Sequence, residues 1–316
     1  MKRVLVIIAV LMSFSGISQN RVNYSQYMHN HQLFNPAFVE ESNTIGGSIL
    51  YRNQWMGIEG TPSTFIGDAY YGFRAHNFNI QFLYDKITVF KHLEIGGSYS
   101  YSIKLGRETR MSLGLKATYN QNTANYNELS YFDGGDPSLS GTIKKAGVNF
   151  GGGLFFRSKH WHAGVGAPYI FNNNNVDATS TMFGDLSYQH FYVTGGYRIV
   201  DEYGLQFYPS AMIKFTKGAP LAASVDMNFL LRNRFWLSGG YRIDNTVVLS
   251  AGLILWEDFK VIYSYDLGLG KVNRFGGMTH ELTLGYGMSM YKSAFQKRKY
   301  VNNKGWRKKP RRSRWK

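Results

Sequence analysis

No cysteine occurs among the 316 residues of this chain. That excludes a disulfide framework, a thiol nucleophile and a thiolate metal ligand, and it excludes a lipid anchor carried on cysteine. Long apolar runs are missing too. Past the first dozen residues no stretch reaches the ~18 consecutive apolar residues that a spanning helix needs, so a helical membrane protein is ruled out.

Catalytic and metal-binding motifs are also scarce. There is no G-x-S-x-G nucleophile elbow and no phosphate-binding glycine loop. His280-Glu281 begins an H-E-x-x-H pattern, but Leu284 stands at the second histidine position. That stretch also reads as a strand, which lacks the i, i+4 geometry of the zinc site. His160 and His162 are spaced to share one strand face, as are His29 and His31, but neither pair has a third ligand and both read as rim histidines. Asp133 and Asp136 flank two glycines without the ligand number or spacing of a calcium loop, and read as a solvated turn. No catalytic residue, metal or cofactor is expected, and the chain does not read as an enzyme.

What the sequence has is a rhythm. From about Thr44 to Met288, short stretches place an apolar or aromatic residue at every second position, and turn signals separate them. A period of two means strands with two different faces. In 259–267, Phe259, Val261, Tyr263, Tyr265 and Leu267 alternate with Lys260, Ile262, Ser264 and Asp266. In 221–230, Leu221, Ala223, Val225, Met227 and Phe229 alternate with Ala222, Ser224, Asp226 and Asn228. The first set in each would face lipid and the second a lumen. Glycine pairs recur inside strands, at 46–47, 96–97, 195–196 and 239–240, where they permit bends or close packing. G-G-Y-R-I occurs at 195–199 and again at 239–243; the two copies would run in opposite directions, which reads as shared strand grammar rather than a duplicated module.

Aromatic residues make up 16% of the chain, and they favour strands and membrane–water boundaries. The mean hydropathy of −0.29 is compatible with a membrane protein, because alternation hides lipid-facing residues in the average.

The spacing predicts fourteen strands near 44–52, 63–73, 77–85, 93–104, 109–120, 148–157, 160–167, 188–199, 205–216, 221–230, 234–243, 246–256, 259–267 and 279–288. Connections after even-numbered strands are uniformly short. Those after odd-numbered strands include every long one: 53–62, 86–92, 121–147, 168–187 and 268–278. Short turns on one rim and longer loops on the other are the habit of outer-membrane barrels, with the turns in the periplasm and the loops outside. An even strand count returns both termini to the periplasmic side. An open sheet would leave backbone groups unpaired against lipid, at several kcal/mol each.

The ends of the chain extend this picture. Lys2 and Arg3, the apolar run Val4 to Met12, and the small residues Gly16 and Ser18 have the layout of a secretory signal cleaved after Ser18. The organisation expected is therefore a signal peptide at 1–18, a plug or periplasmic segment at 19–43, a transmembrane antiparallel β-barrel at 44–288, and a basic periplasmic tail at 289–316. The segment 19–43 carries Tyr24, Tyr27, Phe34 and Phe38, too many aromatics for a solvated leader.

Twelve of the chain's Lys and Arg residues lie in 292–316. Removing that +12 from the net +16 leaves +4 for everything else, so the basic balance belongs to the tail. Lys297, Arg298, Lys299, Arg307, Lys308, Lys309, Arg311, Arg312 and Arg314, interleaved with Trp306 and Trp315, are candidate contacts for a periplasmic partner: a cell-wall polymer, lipid headgroups or an acidic protein. In a cytoplasmic chain such a tail would suggest nucleic acid; behind a secretion signal it does not.

Several motifs resemble a known family. They are S-Q-Y-M at 25–28, N-P-A at 35–37, and Y-R-N-Q-W-M-G-I-E-G-T-P-S-T at 51–64, with P-S-A-M-I-K-F at 209–215, K-G-A-P-L at 217–221, F-W-L-S-G-G-Y-R at 235–242 and H-E-L-T-L-G-Y at 280–286. Together they resemble the PorP/SprF outer-membrane proteins of the type IX secretion system of Bacteroidetes. The resemblance implies a non-enzymatic barrel that assists secretion or surface anchoring of adhesins and other cargo bearing a C-terminal sorting domain, in some cases for gliding motility. Its implied partners are that cargo, other type IX components and outer-membrane lipid. Arg52, Asn53, Gln54, Trp55 and Gly57 become candidate cargo contacts in an external loop, with fixation of the barrel mouth as the other role for Arg52 and Trp55. The basic tail departs from the simplest form of that family, which ends soon after its last strand. The alternative function is a passive porin or hydrophobic-solute channel.

Overall fold

A computed structural model describes residues 23–38, 43–128, 141–170, 189–201, 205–216, 219–256, 258–270 and 277–289. The signal segment, the Asp133–Asp136 turn and the basic tail lie outside these residues.

Fifteen strand segments run in chain order: β1 (Thr44–Asn53), β2 (Ser63–Phe73), β3 (His76–Ile87), β4 (Phe90–Lys104), β5 (Arg110–Asn125), β6 (Thr142–Arg157), β7 (Trp161–Tyr169), β8 (His190–Tyr197), β9 (Ile199–Val200), β10 (Leu205–Thr216), β11 (Ala222–Leu231), β12 (Phe235–Arg242), β13 (Thr246–Leu255), β14 (Phe259–Gly268) and β15 (Thr279–Ser289). The two-residue β9 continues β8 past a break at Arg198 and pairs with the same neighbour, β10. All pairings are antiparallel and follow chain order. β10 meets β11, and β15 pairs with β1 from Thr44↔Ser289 to Asn53↔His280. The sheet is therefore a closed antiparallel barrel of fourteen staves, as the alternation predicts.

Alternation also sets the faces. Along β1, Ile45, Ile49 and Tyr51 are exposed while Ser48, Leu50 and Arg52 are buried. In β11, Val225, Met227 and Phe229 point out, and Ser224, Asp226 and Asn228 point in. The buried set is mostly polar and the exposed set mostly apolar, the inverse of a soluble protein and the arrangement a bilayer demands. Leu115, at the middle of β5, is 70% exposed on the outer face. We expect Leu115→Arg to lower the stability of the lipid-inserted barrel by ~2–4 kcal/mol, read as a shift of the urea midpoint for refolding into vesicles.

Both ends of the sheet lie on one rim, because Thr44 pairs with Ser289. That rim carries the connections 74–75, 105–109, 158–160, 232–234 and 256–258, and all the long connections lie on the opposite rim. Two expected loops are nevertheless shorter than the sequence suggests. The 86–92 loop is a two-residue turn, Thr88–Val89, with Thr88 at φ 52°. The 121–147 loop loses both flanks, since β5 continues to Asn125 and β6 begins at Thr142. In these stretches Asn122, Thr123, Lys144 and Lys145 pair across the ladder. Above the lipid band the outer face meets water, so polar residues can hold a strand there, and a reading based on apolar alternation stops too early. A Lys91–Glu128 ion pair at 2.8 Å ties this extension to the one-turn 3-10 helix Tyr126–Glu128, and hydrogen bonds from Lys91 and Asn125 hold the Glu128 carboxyl below its ordinary value.

Candidate functional site

Residues 23–38 pass through the inside of the barrel. They form two single 3-10 turns, Tyr27–His29 and His31–Leu33. Their hydrogen bonds reach β1, β2, β3, β6, β10, β14 and β15, so the segment is held from all sides of the ring. An apolar cluster of Tyr27, Met28 and Phe34 packs on Tyr192 and Met212 within the otherwise polar lumen.

Two anchorages fix the segment. The first is ionic. The backbone N–H groups of Ser25 and Gln26 donate to the two carboxylate oxygens of Glu281 at 3.0 and 2.9 Å. The Gln26 side-chain amide donates to the carbonyls of Glu281 and Ile262 at 3.1 and 3.3 Å. Arg52 donates from Nη1 to Glu281 Oε2 at 2.8 Å and to Ser25 Oγ at 2.9 Å, and from Nη2 to Asp266 Oδ2 at 2.9 Å. Arg242 Nη2 shares that Asp266 oxygen at 2.8 Å, and its Nη1 donates to the Asn23 carbonyl at 3.1 Å. The Ser25 hydroxyl donates to Asp266 Oδ1. Two guanidinium groups face two buried carboxylates, and Arg242 Nε also meets the exposed Asp244 at 3.4 Å. Burial demands this balance, because an unpaired ion removed from water costs several kcal/mol.

The second anchorage is steric. Asn35-Pro36-Ala37 lies on a floor of glycines from β5, β6 and β7. A Cβ at Gly114 would strike the Pro36 carbonyl, one at Gly166 the Phe34 carbonyl, and one at Gly153 or Gly164 the Asn35 amide. Only bare backbone lets the segment approach so closely. Asn35 uses both ends of its amide: Nδ2 donates to the Leu154 carbonyl at 3.0 Å, and Oδ1 accepts from the Ala37 N–H at 2.9 Å. A third contact runs from Gln81 Nε2 to the Gln32 carbonyl at 2.7 Å, with Gln81 itself held by Lys116 at 2.8 Å.

The Y-R-N-Q-W motif divides at the barrel mouth. Arg52 does not reach the loop surface. Its position in β1 turns it inward, where it is 4% exposed and committed to Asp266 and Glu281; it takes the mouth-fixing role. Asn53, Gln54 and Trp55 are half-buried and Gly57 is exposed. The loop they begin is tied down. Gln54 N–H donates to the Pro62 carbonyl at 2.9 Å, and Met56 N–H to the Met278 carbonyl at 2.9 Å. Thr88 N–H donates to the Gly60 carbonyl at 3.1 Å. Trp55 sits at φ 57° and Gly57 at φ 102°, and Met56 and Ile58 stand exposed beside them. The tail candidates from Lys297 to Trp315 lie outside the described residues.

Sequence reading did not single out Asp266, Glu281 or Arg242 as site residues. The available signal was an acid or Arg at an inward-facing position of an alternating strand, where a charge needs a partner. Of the histidines, His162 faces the lumen against His31, with ring centroids 5.1 Å apart, whereas His160 lies in a turn beside Tyr197.

A closed, outward-apolar barrel with its own chain packed inside defines an outer-membrane β-barrel whose lumen is occupied. Residues 17–286 match the family described as type IX secretion system membrane protein PorP/SprF, and the chain belongs to it. It is thus an outer-membrane barrel of the type IX secretion system. No curated protein matches the chain by sequence. Among solved structures, the deltaS2S3 mutant of the TodX monoaromatic hydrocarbon channel aligns at a TM-score of 0.50 with 9% identity, covering 82% of this chain and 94% of that one. A FadL homologue from Pseudomonas aeruginosa aligns at 0.42 with 10% identity, covering 78% and 89%. The CymD monoaromatic hydrocarbon channel aligns at 0.46 with 8% identity, covering 89% and 97%. At such identities the likeness concerns the fold alone.

Proposed function

We propose that this barrel is a non-enzymatic holder of secreted cargo at the cell surface, taking proteins with a C-terminal sorting domain, including adhesins that serve gliding, rather than a passive conduit. The observation that carries this reading is the lumen, which is occupied by residues 23–38 and pinned through Gln26, Asn35-Pro36-Ala37 and Arg52. A porin or solute channel needs a continuous path through that space.

The orientation follows the habit of bacterial barrels, with the short-turn rim and both termini in the periplasm and the long loops outside. Cargo then meets the loop rim, where Asn53, Gln54, Trp55 and Gly57 belong to a loop braced against Met278 and Thr88. A braced loop binds without a large ordering cost, and Trp55 with Met56 and Ile58 supplies apolar contact area. Replacing Trp55 with Ala should leave the barrel folded and weaken capture of cargo by ~1–2 kcal/mol, roughly ten- to thirtyfold. Pull-down from native membranes, with quantification of co-purifying cargo, tests this; unchanged capture by the folded variant assigns the loop a structural role only. A stable open pore from purified protein in planar bilayers would overturn the holder reading.

The tail serves as a periplasmic contact for type IX machinery or cell-wall polymer. Truncation after Met290 should preserve insertion and remove an association that weakens with salt, as exposed charge contacts do. Co-sedimentation at rising ionic strength measures it.

A further inference from the structure

A second feature of the lumen is not used by either anchorage. Beside the inner segment, toward the short-turn rim, lies a chamber of about 270 Å³. Three cations line it from separate parts of the ring: Arg157 at the end of β6, Arg198 at the break between β8 and β9, and Lys260 near the start of β14. Among the described residues no Asp or Glu lines it, and none of the three makes an ion pair. Arg157 lies over the rings of Phe38 and Phe155, 5.4 and 5.9 Å from their centroids. Arg198 donates to the Lys159 carbonyl at 3.0 Å and is exposed at the chamber mouth.

The walls add buried nitrogen atoms. Trp236 Nε1, His29 Nε2 and His162 Nε2 are buried and have no hydrogen-bond partner among the described residues. Trp236 Nε1 can only donate. The other nitrogen of His162 is engaged by the Tyr208 hydroxyl at 2.6 Å, so a Tyr O–H donated there leaves Nε2 protonated and available. Met28, Phe38 and Leu230 complete the lining with apolar surface. Buried donors left unpaired are costly, and polar groups in native interiors are normally satisfied. An anion placed here would satisfy them together with the three cations.

We propose that this chamber is a binding site for a carboxylate carried on a small aliphatic or aromatic body, reached from the short-turn rim. Arginine pairs with a planar carboxylate in two-pronged geometry, and the apolar walls receive the body. The site uses none of the loop residues assigned to cargo, which lie on the opposite rim.

The test uses the full-length barrel in uncharged detergent, with calorimetric titration of 3-phenylpropionate, its neutral analogue 3-phenyl-1-propanol, and inorganic phosphate. The expected result is saturable binding of the carboxylate, with the alcohol about tenfold weaker or more. Arg157→Gln and Lys260→Gln should each weaken the carboxylate about tenfold, while Ser250→Ala, remote from the chamber, leaves it unchanged. Titration of the tripeptide Ala-Ala-Phe separates the sources: tighter binding of the peptide than of the free acid assigns the carboxylate to a chain end, and the reverse assigns it to a free small molecule. Equal affinity for acid and alcohol, equal affinity for phosphate, or no binding of the acid to the unmodified barrel overturns the proposal.

Discussion

Arg52→Ala is expected to destabilise the barrel by ~3–5 kcal/mol, the cost of breaking a buried ion pair by removing one partner. The substitution leaves Asp266 with Arg242 alone and strips Glu281 of its one cationic partner among the described residues, in a place with almost no access to water. Glu281 also receives the Ser25 and Gln26 N–H groups, so the loss travels directly into the inner segment. The folded barrel should migrate faster than its heat-denatured form on gels, and the temperature at which that difference disappears measures the effect. Arg52→Lys keeps the charge but loses the fork that reaches Glu281, Ser25 and Asp266 at once, and should recover only part of the stability. A variant as stable as the parent would mean that the ion cluster does not hold the segment.

The second large effect is expected at the glycine floor. Valine at Gly166 places atoms where the Phe34 carbonyl lies, and its Cβ falls 2.7 Å from Asn35 Cα. Backbone on both sides cannot yield by so much, so residues 34–37 must leave their seat. The barrel wall itself is paired on both edges and should survive, with an overpacking cost of ~1–3 kcal/mol. Eviction of the segment opens the lumen, so Gly166→Val should conduct ions in planar bilayers above the level of the parent protein. It should also make residues 34–37 cleavable by added protease. A variant with parent conductance and an uncut segment would show that the seat tolerates side chains.

How far the sequence alone reaches is clear from particular residues. The alternation of Phe259, Val261 and Tyr263 with Lys260, Ile262 and Ser264 assigns faces correctly, because in a bilayer a one-residue slip would turn charge into hydrocarbon. The ends of β3 to β6 are not legible in this way, since Asn122 and Lys145 pair above the lipid, where the outer face carries no apolar requirement. The inner segment is visible as an excess of aromatics in 19–43, but its path is not. Its route depends on glycines in three strands and on charges in four, far apart in the chain, and pairing between them is a property of the closed ring. Arg52 shows the same limit. It ends the predicted strand 44–52 while its motif runs on into the loop, and only the burial of its strand position separates its role from that of Trp55.

Arg52 and Glu281 are direct partners in the ladder between the first strand and the last. This seam joins the two ends of the sheet, so it exists only in the closed ring. Arg52 therefore meets the carboxylate that grips Ser25 and Gln26 only in the sealed cylinder. Enclosing the segment and finishing the wall are one event, and a nascent chain whose leader has strayed outside has no neutral way to zip its seam.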